Sequence, residues 1–146
     1  MYFDDLPVGY RFEAEAEYEV TQESILAFAR DWDPQPFHTD PEAAKESAYG
    51  GLIASGLQTM GIALRQVLEM NVWADSSMGS SGLDEVRWKV PVRPGDRLRT
   101  RGEILSSTPS ASRPDRGRTE IAYETVNQRD EVVMTYRATQ ILKRKG

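Results

Sequence analysis

"YGGLIASGLQTMGIALRQVLEMNVW", residues 49 to 73, decides how this chain must fold. Glycines at 50, 51 and 56 lead into Leu57, Met60, Ala63, Leu64, Val67 and Leu68 at helical spacing, with no charge before Arg65 and Glu69. A helix apolar around so much of its circumference is a buried one. The residues after it read as strands, at about 84 to 92, 96 to 107, 119 to 127 and 131 to 141. Consecutive strands with short connections favour antiparallel pairing, and one apolar helix needs a sheet curved around it to cover its surface. The expected architecture is α+β, a single domain over residues 1 to 146 in which an antiparallel sheet wraps around one long buried helix. A single sheet leaves edges open, so a dimer that joins sheets is expected, either alone or as a dimer of dimers.

Upstream, "RFEAEAEYEV", residues 11 to 20, alternates strictly and predicts a strand with Phe12, Ala14, Ala16, Tyr18 and Val20 on one face. The facing row of Glu13, Glu15, Glu17 and Glu19 reads as a solvated face that discourages edge pairing. Thr21 can cap a helix through "QESILAFARDW", which must stop before Pro34 because the residue preceding a proline is pushed out of the α region. "TDPEAA" signals a second short helix, with Thr39 or Asp40 as cap and Pro41 as its first residue. His38 is thereby placed between two helices. "RPGD", residues 93 to 96, has Pro and Gly at the central positions of a type II turn, and "STPSASRPDRGR", residues 107 to 118, reads as a polar loop.

Composition narrows the function classes. With 39% hydrophobic and 28% charged residues the chain is globular rather than disordered. It has no cysteine, which removes disulfides, thiolate metal sites and a cysteine nucleophile. The net charge of −5 argues against binding to a nucleic-acid backbone. No basic and apolar leader opens the sequence and no long apolar run crosses it, so a cytoplasmic protein without membrane contact is expected. Basic residues are frequent between Arg87 and Arg118, which leaves room for a local site that takes an anionic small molecule.

The only histidine lies in "FARDWDPQPFHTDPEAA", residues 28 to 44. It could simply hydrogen-bond a carbonyl or cap a helix. However, Asp33 is five residues away, and Pro34 and Pro36 restrict how the intervening chain bends, so the carboxylate and imidazole can converge. Such a pair can hold a water and move its protons near neutral pH. If Gly56 precedes the buried helix, its N–H lies at the positive end of the helix dipole, where an amide can stabilise an oxyanion such as an enolate. The glycines could equally serve only a tight loop and close packing.

"DPQPFHTDPEAA" followed by "GLIASGLQ" resembles the signature of the MaoC-like hydratases and dehydratases, which include the (R)-specific enoyl-CoA hydratases of the hotdog fold. The resemblance is strongest over about residues 22 to 64, and "EVRWKVPVRPGDRL", residues 85 to 98, is similar to the family's central strand pair and its Pro-Gly-Asp turn. It implies that Asp33 and His38, at the positions of an Asp-x-Asn-Pro-x-His motif, bind and activate the catalytic water. It also implies that Gly56, eighteen positions beyond the histidine, supplies the oxyanion amide. The reaction it implies is syn hydration of a trans-2-enoyl thioester to a (3R)-hydroxyacyl thioester, with an acyl-CoA as substrate and no metal or redox cofactor. Two positions depart from the pattern: Gln35 stands where the motif has Asn, and Ser55 where relatives often have His. Gln35, Phe37, Ser55 and Leu57 are the candidates for substrate contact, Gln35 reading first as a hydrogen-bonding support of the loop.

An acyl chain needs an apolar tunnel, for which Phe37, Leu52, Ile53, Leu57, Met60 and Trp88 are candidate walls, although each also suits plain core. Arg87, Lys89 and Arg93 alternate along a strand and could meet the phosphates of CoA, or form a solvated face. A hotdog thioesterase, directing water at the thioester carbonyl, and a noncatalytic acyl-thioester binding subunit are the alternative functions. The acyl group and its carrier depend on pocket shape, and hydration and dehydration share one transition state.

Overall fold

The computed structural model describes all of residues 1 to 146. Thr21 caps the first helix, α1 (Gln22–Trp32), by accepting a hydrogen bond from the Ser24 N–H at 3.1 Å. Asp33 ends that helix with φ −154° and ψ 67°, a conformation outside the α region as the following Pro34 demands. A four-residue helix, α2 (Pro36–Thr39), comes next, with Gln35 as its N-cap and Pro36 as its first residue. His38 therefore lies inside a helical turn and not in a connection between helices, because Pro36 is as good a helix starter as Pro41. Asp40, and not Thr39, caps α3 (Pro41–Lys45), accepting from the Glu42 and Ala43 N–H groups.

The long helix, α4 (Gly56–Glu69), starts one residue earlier than the glycine reading implies: Ser55 is the N-cap and Gly56 the first helical residue. Its burial is one-sided. Gln58, Thr59, Ile62, Ala63, Gln66 and Val67 face the sheet, while Leu57, Leu64 and Leu68 stay exposed on the other side. The expectation of a helix buried all round thus holds only on the side the sheet covers.

The strands are β1 (Arg11–Glu13), β2 (Tyr18–Glu19), β3 (Ser77–Trp88), β4 (Arg97–Pro109), β5 (Arg116–Val126) and β6 (Val132–Lys143). They form one antiparallel sheet in the order β1-β4-β5-β6-β3, and β2 also pairs with β4. The core cluster joins Ile62, Ala63 and Val67 of α4 to Leu98, Ile104, Ile121 and Met134 of the sheet, so the sheet packs over the helix as in a hotdog fold.

Two strand expectations are corrected. The stretch 11 to 20 is not one strand: five positions separate Glu13 from Tyr18 but only three separate their partners Arg101 and Leu98, so residues loop out and Ala16 turns to solvent. β3 begins at Ser77 rather than near residue 84 and ends at Trp88. Its first half, "SMGSSGL", has no alternating apolar signal; pairing with β6 makes it a strand, with register shifts around Gly79 and Glu85. The turn at residues 93 to 96 is as expected: Gly95 has φ +89° and the Asp96 N–H donates to the Arg93 carbonyl at 3.0 Å. The loop read over 107 to 118 shrinks to residues 110 to 115, because β4 and β5 pair out to Pro109 and Gly117. No helix is long and apolar enough to cross a membrane.

Candidate active site

Asp33, Gln35, Phe37, His38, Ser55, Gly56 and Leu57 all line one cleft of about 560 Å3 between the α1–α2 corner, the start of α4 and the end of β3. Local folding puts them there. The α1 C-terminus presents Asp33, one turn of α2 turns His38 inward, and the extended segment before α4 runs past both. That segment is held on either side, since the Ile53 N–H donates to the Phe37 carbonyl at 3.1 Å and the Ala54 N–H to the Val92 carbonyl at 2.8 Å.

His38 is 4% exposed and packs edge-on against Phe37, ring centroids 4.5 Å apart. Its Nδ1 is 2.7 Å from the Ile53 carbonyl oxygen, an acceptor only, so Nδ1 carries the proton and donates. In the neutral ring Nε2 is then a lone pair, and it lies 3.3 Å from Asp33 Oδ2. Two acceptors facing one another need a proton between them: a proton on Nε2, or a water that donates to both.

Asp33 is tied on both oxygens. Gln35 Nε2 donates to Oδ1 at 2.7 Å, and the Ser55 hydroxyl donates to Oδ2 at 2.7 Å. Burial acts to raise the Asp33 pKa, but the bonds from Gln35 and Ser55 and the charge of His38 outweigh it and hold the carboxyl below its ordinary value. Ser55 is fully buried, and its oxygen also accepts the Leu57 N–H at 3.2 Å, so one hydroxyl caps α4 and grips Asp33.

Gly56 is in the first turn of α4, where N–H groups have no acceptor within the helix, and its N–H finds none elsewhere in the chain. Its lack of a side chain is a steric matter. A Cβ there would lie 2.6 Å from Trp88 Nε1 and 2.9 Å from Cδ2, because the indole rests on this residue. The amide thus lies beside the Asp33–His38 pair with the dipole of a fourteen-residue helix behind it.

The other sequence candidates divide. Ile53 and Trp88 line the cleft, whereas Leu52 is core and Met60 lines a different cavity. Of the three basic residues only Lys89 lines the cleft: Arg87 donates to the adjacent Val86 carbonyl, and Arg93 donates to the Tyr49 carbonyl at 2.6 Å. Their supposed alternation fails because β3 bulges before Arg87 and ends before Lys89. Two contributors are absent from the sequence reading. Tyr49, tilted against Phe37 with centroids 5.2 Å apart, was signalled only by an aromatic residue before a glycine pair. The Ile53 carbonyl had no signal at all, since every residue carries one. No group of three or more His, Cys, Asp or Glu residues converges to hold a metal.

The family described as the MaoC like domain matches residues 5–137. The crystal structure of a MaoC-like dehydratase from Rhodospirillum rubrum is 41% identical, with a TM-score of 0.93 over 100% of this chain and 99% of the other. An uncharacterised protein of Bacillus subtilis (strain 168), YdeM, is 29% identical over 99% of this chain and 100% of its own length. The 3-hydroxyacyl-thioester dehydratase Z of Mycobacterium tuberculosis (strain ATCC 25618 / H37Rv) is 32% identical over 59% of this chain and 58% of its own.

Proposed function

The chain belongs to the MaoC-like domain family, and from that premise we propose that it adds water reversibly to a trans-2-enoyl thioester, giving a (3R)-hydroxyacyl thioester. The observation that carries this reading is the Asp33–His38 pair, 3.3 Å apart, beside an unpaired amide at Gly56 in one cleft. The similarity to a 3-hydroxyacyl-thioester dehydratase supports the thioester class of substrate.

In this mechanism the substrate carbonyl accepts a hydrogen bond from the Gly56 N–H, which polarises the conjugated double bond toward an enolate. Water held between His38 Nε2 and the Asp33 carboxylate attacks C3. A C–O bond forms there, the C2=C3 π pair becomes the C1=C2 bond of the enolate as the carbonyl π pair moves onto the thioester oxygen, and a water proton passes to the Asp33–His38 pair. As the enolate collapses, a proton from the pair is delivered to C2. The carboxylate stabilises the imidazolium that forms, and the Ile53 carbonyl keeps the ring oriented. No electrons change hands and water is the only co-reactant, so the chemistry calls for neither a metal nor a redox cofactor.

Gln35 and Ser55 act on Asp33 rather than on substrate in this reading, while Phe37 and Leu57 form cleft wall. A second copy of the chain is the partner. β3 is an edge strand with one open row of backbone groups, and Leu83 and Trp88 on it and Leu57, Leu64 and Leu68 on α4 are exposed side by side. β3 pairing with β3 of a second copy would continue the sheet and cover that stripe.

The deciding experiment mixes the protein with crotonyl-CoA and follows both the ultraviolet absorbance of the enoyl thioester and free thiol. Loss of absorbance without thiol, reduced at least ~100-fold in Asp33→Asn and in His38→Gln, is the expected result. Thiol release would replace this reading by a thioesterase. No reaction with either readout would favour a binding subunit.

A further inference from the structure

A second cleft, of about 320 Å3, opens along the same side of α4. It is lined by Met60, Leu64 and Val67 of the helix, Leu83 of β3, and Tyr136 and Ala138 of β6. Its floor holds Tyr136 stacked on Tyr123, centroids 4.9 Å apart, and the Tyr123 oxygen accepts from Trp73 Nε1 at 3.1 Å. Burial pushes both phenol pKa values up, so the floor is neutral.

Gly56, Met60 and Leu64 are spaced four apart and form one row on α4. The catalytic cleft takes the Gly56 end of that row and the Trp88 end of β3, and the second cleft takes Met60, Leu64 and the Leu83 stretch of β3. The two clefts follow one another along the groove between helix and edge strand, sharing no lining residue, and Trp88 stands at the end of the first. Its backbone is in β3, and its indole N–H donates to the Gly56 carbonyl oxygen at 2.9 Å, which lays the ring across the first turn of α4. Trp88 lines the catalytic cleft and not the second one.

We propose that Trp88 is the residue that sets acyl-chain length, a bar across the groove that confines the acyl group to the catalytic cleft and closes off the apolar cleft beyond. The proposal rests on the acyl-thioester reading of the site. A short acyl chain fits before the bar. A longer one meets the indole, which is fixed at both ends by the strand backbone and by its hydrogen bond. Once the bar is removed, each further methylene entering the apolar cleft strengthens binding by about fourfold.

The test is binding of two unreactive saturated thioesters, butyryl-CoA and octanoyl-CoA, measured by calorimetry on the protein, on Trp88→Ala and on Trp88→Phe. Hydration of the matching trans-2-enoyl-CoAs is followed in parallel. The unaltered protein binds butyryl-CoA more tightly. In Trp88→Ala the ratio of octanoyl to butyryl dissociation constants falls by about tenfold or more. Trp88→Phe, which keeps a ring but loses the N–H bond, lies between and guards against misfolding of the alanine variant. An unchanged ratio, or octanoyl-CoA already the tighter ligand before substitution, overturns the bar. The expected binding shift without any hydration overturns the hydratase reading and leaves the bar standing, whereas binding of neither thioester by any of the three proteins overturns both.

Discussion

At the scale of single residues, the site turns on how many contacts Asp33 and Gly56 must satisfy at once. Two donors and an imidazole surround the Asp33 carboxylate and depress its pKa, burial opposing them. Removing one donor by Ser55→Ala raises that pKa, so the acid limb of the kcat/KM profile moves to higher pH while the alkaline limb stays in place. A pH–rate profile on crotonyl-CoA checks this, and an unmoved acid limb would remove Ser55 from the positioning of Asp33. The linkage to stability has the same sign: a carboxyl whose folded pKa is depressed stabilises the fold above its unfolded value and loses that contribution as pH falls through the folded one. Gly56 is constrained by sterics and not by its backbone angles. Gly56→Ala drives a methyl group into the Trp88 indole and lowers stability by about 1–3 kcal/mol, most of which is recovered when Trp88→Ala is added. Thermal unfolding of the two single variants and the double variant measures that coupling, and simple additivity would show that the two residues do not press on one another.

At the scale of elements, three short helices do the positioning, and each starts on a chemical signal. Thr21, Gln35 and Asp40 precede α1, α2 and α3, and Pro36 and Pro41 take the first helical position of the latter two. Asp40 satisfies two N–H groups of α3 directly after the turn that carries His38. Asp40→Ala therefore costs about 1 kcal/mol of stability in chemical denaturation. A larger loss of turnover than of stability would mean that the cap also fixes the His38 turn. The long helix is amphipathic in an unusual sense. Its inner face includes Gln58, Thr59 and Gln66, with the Gln66 amide donating to the Leu98 carbonyl at 2.8 Å, while several of its leucines point outward. The spacing of apolar residues predicts the helix and its burial, but burial is confined to the side the sheet covers, where Gln66 is buried with a backbone partner while leucines on the other side stay exposed.

At the scale of the whole molecule, the outward leucines and the edge strand belong to one surface. Leu64 is 49% exposed and Trp88 51%, which makes this an apolar surface suited to a partner. Leu64→Glu is expected to turn a dimer into a monomer in light scattering and to abolish the rise of unfolding temperature with protein concentration that a dimer shows. A monomeric unaltered protein would end the assignment of a second copy as partner. The same surface holds the groove in which Trp88 stands, so a partner on β3 would also roof the acyl path.

The sequence by itself determined the local elements and the candidates for the chemistry. The caps, the prolines, the Pro-Gly turn and the apolar helix are signals within a few residues of one another, and "DPQPFH" with "ASGLQ" marks Asp33, His38 and Gly56 as candidates through a family resemblance. What only the tertiary structure decided were contacts between distant parts of the chain. Ile53 fixes the histidine tautomer across fifteen positions, and Ser55 grips Asp33 across twenty-two. Trp88 explains why residue 56 has no side chain, across thirty-two. β3 exists where its own residues give no strand pattern, because β6 supplies the ladder. Such contacts leave no periodic trace: a backbone carbonyl, an edge pairing or an indole laid on a glycine is set by packing geometry, which a single sequence does not spell out.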